Sequence, residues 1–205
     1  MTNRTIAVVS AGISVPSSTR LLADRLAAAT VAALRERGVD AEVDVIELRD
    51  HGHELVDNVL TGFPRPELQA TLKAVADADG LIAVTPTFSA SYNGLFKMFF
   101  DVLESESLAG KPTLIAATGG TGRHSLALEH AVRPLFAFLR AMVVPTSVFS
   151  APEDWGAGDR TAQSLDQRIA RAAGELAEIV AARPAQKAAD PFLEPTPFEQ
   201  LLKGS

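Results

Sequence analysis

Three loop segments carry the residues whose types and spacing are suited to chemistry. The first is Ser10-Ala11-Gly12-Ile13-Ser14-Val15-Pro16-Ser17-Ser18-Thr19-Arg20. It ends in three hydroxyls and a guanidinium at the start of a helix-like stretch. Free amides and the helix dipole favour an anion at such a place, and hydroxyls donate to phosphate oxygens. One capping hydroxyl, Ser17 or Ser18, would be enough to start the helix. Three in a row followed by Arg20 favour a phosphate. The segment is no P-loop, since G-x-x-x-x-G-K-[ST] is absent. It is no dinucleotide fingerprint either, because Gly12 stands alone.

The second segment is Thr85-Pro86-Thr87-Phe88-Ser89-Ala90-Ser91-Tyr92-Asn93-Gly94, which holds the one tyrosine of the chain. Flat apolar faces, hydroxyls and backbone amides together suit a planar heterocycle with polar edges. The plainer alternative is that Phe88 and Tyr92 fill core. The third segment is Thr118-Gly119-Gly120-Thr121-Gly122-Arg123-His124-Ser125. Its glycines nearly imitate a dinucleotide fingerprint but follow the wrong strand, and Arg140 stands where an acidic partner is needed. Their better use is to let backbone amides approach a ligand edge. A further pair, His51 and His53, has i, i+2 spacing but no obvious third ligand. It reads as a solvated loop and not a metal site.

Composition narrows the chemistry. The chain has 205 residues, no cysteine, and a formal net charge of −6. Thiol redox chemistry, cysteine-ligated clusters and cysteinyl nucleophiles are excluded. The acidic balance argues against a nucleic-acid partner. No apolar run reaches the roughly 18 residues that span a bilayer. The N-terminus lacks a signal-peptide pattern, so a cytoplasmic enzyme is expected.

The elements that must position these loops alternate between strand and helix. Strands are expected at Thr5 to Val9, Ala41 to Leu48, Leu81 to Val84, Thr113 to Ala117 and Met142 to Phe149. Helices are expected at Ser17 to Gly38, Leu68 to Ala78, Gly94 to Glu104, Leu126 to Ala141 and Arg160 to Ala182. Arg49 to Pro66 reads as irregular. The second strand alternates apolar and polar residues, as an edge strand does, and the third is wholly apolar, as a central strand is. Five such strands predict a three-layer parallel α/β sheet. Ligands bind such sheets beyond the carboxyl ends of the strands, where the three segments fall. Pro184 to Ser205 form a tail with four of the twelve prolines and with Phe192, Leu193, Phe198, Leu201 and Leu202. The expected division is therefore a domain over 1–183 and a tail over 184–205, which packs on its own or a neighbouring subunit or simply frays.

Together the three loops resemble those of the NADPH-dependent FMN reductases of flavodoxin-like fold. The likeness runs from about Thr5 to Ala182. It is strongest over Thr85-Pro86-x-Phe88-x-Ala90-Ser91-Tyr92-Asn93-Gly94-x-Phe96-Lys97, continuing to Asp101 and Leu103. This stretch looks like the flavin-ring loop of the reductases that serve two-component monooxygenases. The serine-rich first loop looks like that family's FMN-phosphate loop, but is longer. The resemblance implies a flavodoxin-like sheet of order 2-1-3-4-5. It also implies hydride transfer from NADPH or NADH to N5 of FMN, which is either a diffusing substrate or a fixed cofactor. FMN would be bound by Ser10, Ser17, Ser18, Thr19 and Arg20 at the phosphate. Pro86, Thr87, Phe88, Ser89, Tyr92, Asn93 and Gly94, with Thr118, Gly119, Gly120 and His124, would lie at the ring. No side chain need be catalytic, because the flavin carries the chemistry. Arg123 is a candidate for a nicotinamide-nucleotide phosphate.

In that subgroup the helix at Leu126 to Leu135 can carry an inserted residue that makes a π-bulge at a subunit interface, and His130 falls at that place. Local physics agrees in part. Pro134 has no N–H, so the His130 carbonyl loses its i+4 partner and the helix must kink or bulge. A homodimer or homotetramer is implied, with a flavin-dependent monooxygenase as recipient of reduced flavin. The rival readings are an FMN-containing quinone or azo reductase and, further off, a flavodoxin-like electron carrier.

Overall fold

The computed structural model describes residues 2–104, 106–155 and 164–184. Its elements are β1 Thr2–Ser10, α1 Ser18–Glu36, β2 Val39–Glu47, α2 Gly52–Thr61, α3 Pro66–Asp77, β3 Gly80–Phe88 and β4 Ser91–Tyr92. They continue with α4 Gly94–Asp101, β5 Pro112–Thr118, a π-helical turn at Leu128–Val132, α5 Arg133–Phe138, β6 Met142–Val143, β7 Val148–Ser150 and α6 Leu165–Ala182. The parallel sheet runs β2-β1-β3-β5-β6, with β7 also on β5 and the short β4 hairpinned onto β3. This is the expected flavodoxin-like order.

Strand alternation divides the core in two. Ala7, Val9, Leu81, Ala83, Ile115 and Ala117 face the layer of α2 to α5. Ile6, Val8, Ile82, Val84, Leu114 and Ala116 face α1 and α6. The first layer is anchored by Phe96, Phe100 and Phe136, whose rings meet edge-on at 4.8–6.2 Å. Such pairs add to the burial of the rings themselves. They fix α4, and with it the loop that precedes α4.

Three expectations need correction. The span Arg49 to Pro66 is largely helical: a 3-10 turn over Leu48–His51 leads into α2. Leu55 and Asn58 are buried on one side of it, a stripe too short to be recognised by periodicity. The fifth strand is broken into β6 and β7. Thr146 donates its backbone N–H and its hydroxyl to Glu175 on α6, so the chain there bonds to a helix instead of the ladder. The helix expected from Leu126 to Ala141 is shorter, Leu128–Phe138, and changes type partway. Within it the Arg133 N–H donates to Leu128 O, five residues back, so the distortion forced near Pro134 takes the form of a π turn containing His130. Arg133 then donates to Glu129, Val144 O and Pro145 O, which fastens the π turn to the strand break. The hydrogen bond from Arg133 holds Glu129 below the usual carboxylate range, with help from Ser147. Positions 160–163 of the expected last helix, and all but Pro184 of the tail, lie outside the described residues.

One buried charge sets a pH dependence. Lys111, only 2% exposed, donates to Ala76 O and Ala78 O at the end of α3. Burial lowers its pKa from 10.5 to about 8. Below pH 8 the lysine is charged in both folded and unfolded chains, and the burial penalty is felt in full. Between about 8 and 10.5 the unfolded chain binds more protons, so stability rises with pH. Relative to Lys111→Met, the wild-type protein should therefore gain about 3 kcal/mol across that window. Denaturant melts at pH 7 and pH 10 check this; parallel pH profiles for the two proteins would refute it.

Candidate functional site

At the carboxyl edge of the sheet, the loop after β1 folds over the start of α1. Ser17 is the N-cap, its hydroxyl accepting from Arg20 N at 3.2 Å. Gly12 is required here. A Cβ on it would lie 2.1 Å from Ser17 Oγ and 3.2 Å from Thr19 Cβ. Ser18 is exposed on the first turn. Thr19 is buried and shares a 2.8 Å hydroxyl hydrogen bond with Thr118 at the end of β5. This bond ties the first loop to the third.

Two more hydroxyls lie in the same layer. Ser10 ends β1 and Ser150 ends β7, each 1% exposed. By alternation with Val8 and Val148 they face the α1–α6 side of the sheet, and neither hydroxyl has a hydrogen-bond partner among the described residues. An unpaired buried hydroxyl is costly, so such groups usually serve a ligand or an ordered water. Sequence reasoning missed Ser150. Its one signal was its position at the end of the fifth strand.

Arg20 is committed more than its sequence position suggests. It pairs with Asp24 at 2.8 Å and with Glu47 at 2.5 Å, and the Asp24 hydrogen bond leads in raising its pKa. Arg49 also bonds Glu47, at 2.9 Å, and donates to Ser14 O at 3.3 Å. Glu47 therefore gathers two guanidinium groups beside the first loop. This second arginine was not anticipated.

The second loop is a hairpin. Pro86 is buried in β3, and Thr87 pairs with Tyr92 and Phe88 with Ser91. The two residues of the turn, Ser89 and Ala90, have φ of 48° and 69°. Positive φ at both central positions is the type I′ requirement, normally met by Asn-Gly. Ala90→Gly should accordingly stabilise the protein by about 0.5–1 kcal/mol, since relief of the left-handed strain exceeds the added unfolded-state entropy. A rise in Tm would show it; a fall would mean the hairpin is not strained. Phe88 is half exposed at the hairpin end. Tyr92 instead leans on Phe96, with ring centroids 5.9 Å apart, and is partly buried against the core. Asn93 is 2% exposed and caps α4, accepting from Phe96 N at 2.9 Å. Its amide also donates to Ala11 O at 2.7 Å. Gly94 opens α4 and is exposed.

In the third loop, Gly119 donates its N–H to Ser150 O at 3.0 Å. Its Cα faces Phe149, where an added Cβ would come within 2.7 Å of Cζ. Gly120 is exposed, with no atom near the Cβ position, and its amide and that of Thr121 are the unengaged ones in this loop among the described residues. Arg123 and His124 lie exposed in the 3-10 turn that follows. His51 bonds Glu54 and Thr71, and no cluster of three metal-ligating side chains exists among the described residues. No described helix is long and apolar enough to cross a membrane.

Fold and edge thus define a class: a flavodoxin-like α/β protein with a polar, hydroxyl-lined candidate site at the helix N-terminus and a hairpin after β3 at the same sheet edge. Residues 4–156 match the family model described as NADPH-dependent FMN reductase, and the chain belongs to that family. An FMN reductase (NADPH) of Pseudomonas aeruginosa is 36% identical over 87% of this chain and 93% of its own. An NADH-dependent FMN reductase, SfnF, of Pseudomonas fluorescens is 34% identical over 85% and 90%. Among solved structures, an oxidoreductase from Corynebacterium diphtheriae superposes with a TM-score of 0.86. It is 48% identical and covers 90% of this chain and 100% of that one. The apo form of the NADH:FMN oxidoreductase EMOB gives 0.74 at 27% identity, covering 93% and 99%.

Proposed function

We propose that this protein is an NAD(P)H-dependent FMN reductase that passes electrons to FMN and releases reduced flavin to a flavin-dependent monooxygenase. The observation that carries the flavin assignment is the α1 N-terminus behind Gly12, which is too closely packed on Ser17 and Thr19 to accept a Cβ, with the buried, unpartnered hydroxyl of Ser10 two residues before that glycine. An anionic group fits such a site. FMN, when bound, supplies the two-electron chemistry.

The residues present divide its binding between two ends. Ser17, Ser18 and the first amides of α1 hold the phosphate, with Arg20 and Arg49 contributing positive charge from one side. The backbone of Thr87 to Tyr92 and the amides of Gly120 and Thr121 line the ring, where they favour negative charge on its polar edge. Gly119 contributes shape, its N–H being engaged by Ser150 O. Phe88, half exposed, offers an apolar face beside the ring. Arg20→Ala should weaken FMN by about 1.5 kcal/mol, the low end for a charge-assisted bond, because Asp24 and Glu47 already share its charge. Riboflavin, lacking the phosphate, should be indifferent, and equal losses for both flavins would remove Arg20 from the phosphate site.

The π turn supports a homodimer or homotetramer. Leu126, 62% exposed, and Phe138, 85% exposed, flank it. A monomeric mass with full activity would defeat the oligomer.

The deciding measurement is oxidation of NADPH and of NADH by purified protein with and without added FMN. Saturable dependence on free FMN is expected. A yellow protein indifferent to added FMN that turns over only with a quinone or dye would replace this reading by the fixed-cofactor reductase.

A further inference from the structure

We propose that Asn93 is a positioning residue, a strut that sets the distance between the phosphate end and the ring end of the site. The inference rests on the two-ended flavin reading above. The Asn93 amide is almost wholly buried and both of its polar atoms are spent on the protein. Oδ1 accepts from Phe96 N at 2.9 Å, and Nδ2 donates to Ala11 O at 2.7 Å. Reversing the amide would set two donors and two acceptors against each other, so the orientation is fixed by its partners.

The two partners belong to different parts of the site. Phe96 N is the start of α4, directly after the ring-end hairpin. Ala11 immediately precedes Gly12, where the phosphate loop leaves the sheet. Ala11 N in turn donates to Val84 O at 2.9 Å, and the Asn93 N–H donates to Thr85 Oγ1 at 3.2 Å. Ala11 is therefore held on both sides by the β3–α4 segment. Only an amide does this work in one plane. Serine would cap α4 but cannot donate as far as Ala11 O. Aspartate would cap it but set a carboxylate against that carbonyl.

A ligand that grips both ends gains from their fixed separation, because the first contact raises the effective concentration of the second. A ligand that grips the ring end alone gains nothing from it. The strut therefore distinguishes FMN from riboflavin without touching either.

The test is flavin binding to the full chain, followed by quenching of flavin fluorescence, for FMN and for riboflavin, with Tm recorded alongside. Asn93→Ser keeps the cap and removes the strut. Asn93→Asp does so with the side-chain shape preserved, and serves if the serine variant does not fold. The expected result is a loss of at least about tenfold in FMN affinity with riboflavin nearly unchanged, so that the preference for phosphate collapses. Equal weakening of both flavins would overturn the proposal, reducing Asn93 to an ordinary cap. Unchanged FMN affinity in a folded variant would overturn it as well. A wild-type protein that binds riboflavin as tightly as FMN would instead bring down the two-ended reading, and the strut with it.

Discussion

Gly12→Ala is expected to abolish most FMN affinity, about 10- to 100-fold, while leaving the fold intact. The added methyl would sit 2.1 Å from Ser17 Oγ, a separation that cannot exist. Rotating the Ser17 side chain away does not solve the problem, for two reasons. It gives up the N-cap hydrogen bond to Arg20 N, worth about 1 kcal/mol. It also leaves Ser17 Cβ at 3.1 Å and Thr19 Cβ at 3.2 Å, both tighter than ordinary contacts. The loop backbone must move, and with it the donors aimed at the anion. The part of the loop beyond Gly12 is exposed from Ile13 to Pro16 and adds little to the core. Tm should fall by only a few degrees, roughly as the loss of one cap requires. Isothermal titration with FMN and with inorganic phosphate checks the effect. Undiminished FMN binding by a folded variant would place the phosphate elsewhere.

Gly119→Ala is expected to damage stability and flavin binding together. Its Cβ would meet Phe149 Cζ at 2.7 Å. Phe149 is a rigid ring, 6% exposed, packed in the core beneath α4 and α5. It cannot swing aside as a surface chain would. Overpacking of this kind costs about 1–3 kcal/mol, or about 3–9 °C in a domain of this size. The alternative is for the backbone to shift, breaking the Gly119 N–H bond to Ser150 O and displacing the amides of Gly120 and Thr121. Adding Phe149→Leu should return much of the Tm, since the clash is with the ring tip. Gly120→Ala, which meets no atom within 4 Å, is the control and should leave Tm unchanged. Equal melting temperatures for the Gly119 and Gly120 variants would mean the packing argument is wrong.

The two glycines follow β1 and β5, two places apart in the sheet order, and the chain between them holds most of the domain. Their shared property is contact with a particular neighbour, Ser17 in one case and Phe149 in the other. A sequence shows that a glycine is present. It does not show which atom leaves no room for a Cβ.

Much of the frame was nevertheless legible along the chain. The apolar run Leu81 to Val84 and the alternating Ala41 to Leu48 placed central and edge strands, because side-chain alternation reports directly on which faces are buried. The order β2-β1-β3-β5 was implied by the family resemblance, and the sheet has it. Ser17 and Ser18 before an apolar-periodic helix narrowed the N-cap to two residues, of which the fold uses Ser17, and Pro134 marked the distortion, since both effects lie within one turn of backbone. The resemblance of the Thr85 to Lys97 stretch brought the family with it.

What lay beyond reach depends on atoms distant in sequence. Arg20 looked free for a phosphate until Glu47, 27 positions away, was found beside it. Asn93 looked like a ring contact until Ala11, 82 positions away, took its amide. Helix α2 escaped notice because its buried stripe is only two residues. Ser150 gained meaning only when β7 lay against β5, opposite Thr118. Local rules of capping, periodicity and proline sterics act over a few residues and so are written in the sequence. Which charge is neutralised, which amide is spent and which hydroxyl is left unpaired are decided by neighbours that only the folded chain brings together.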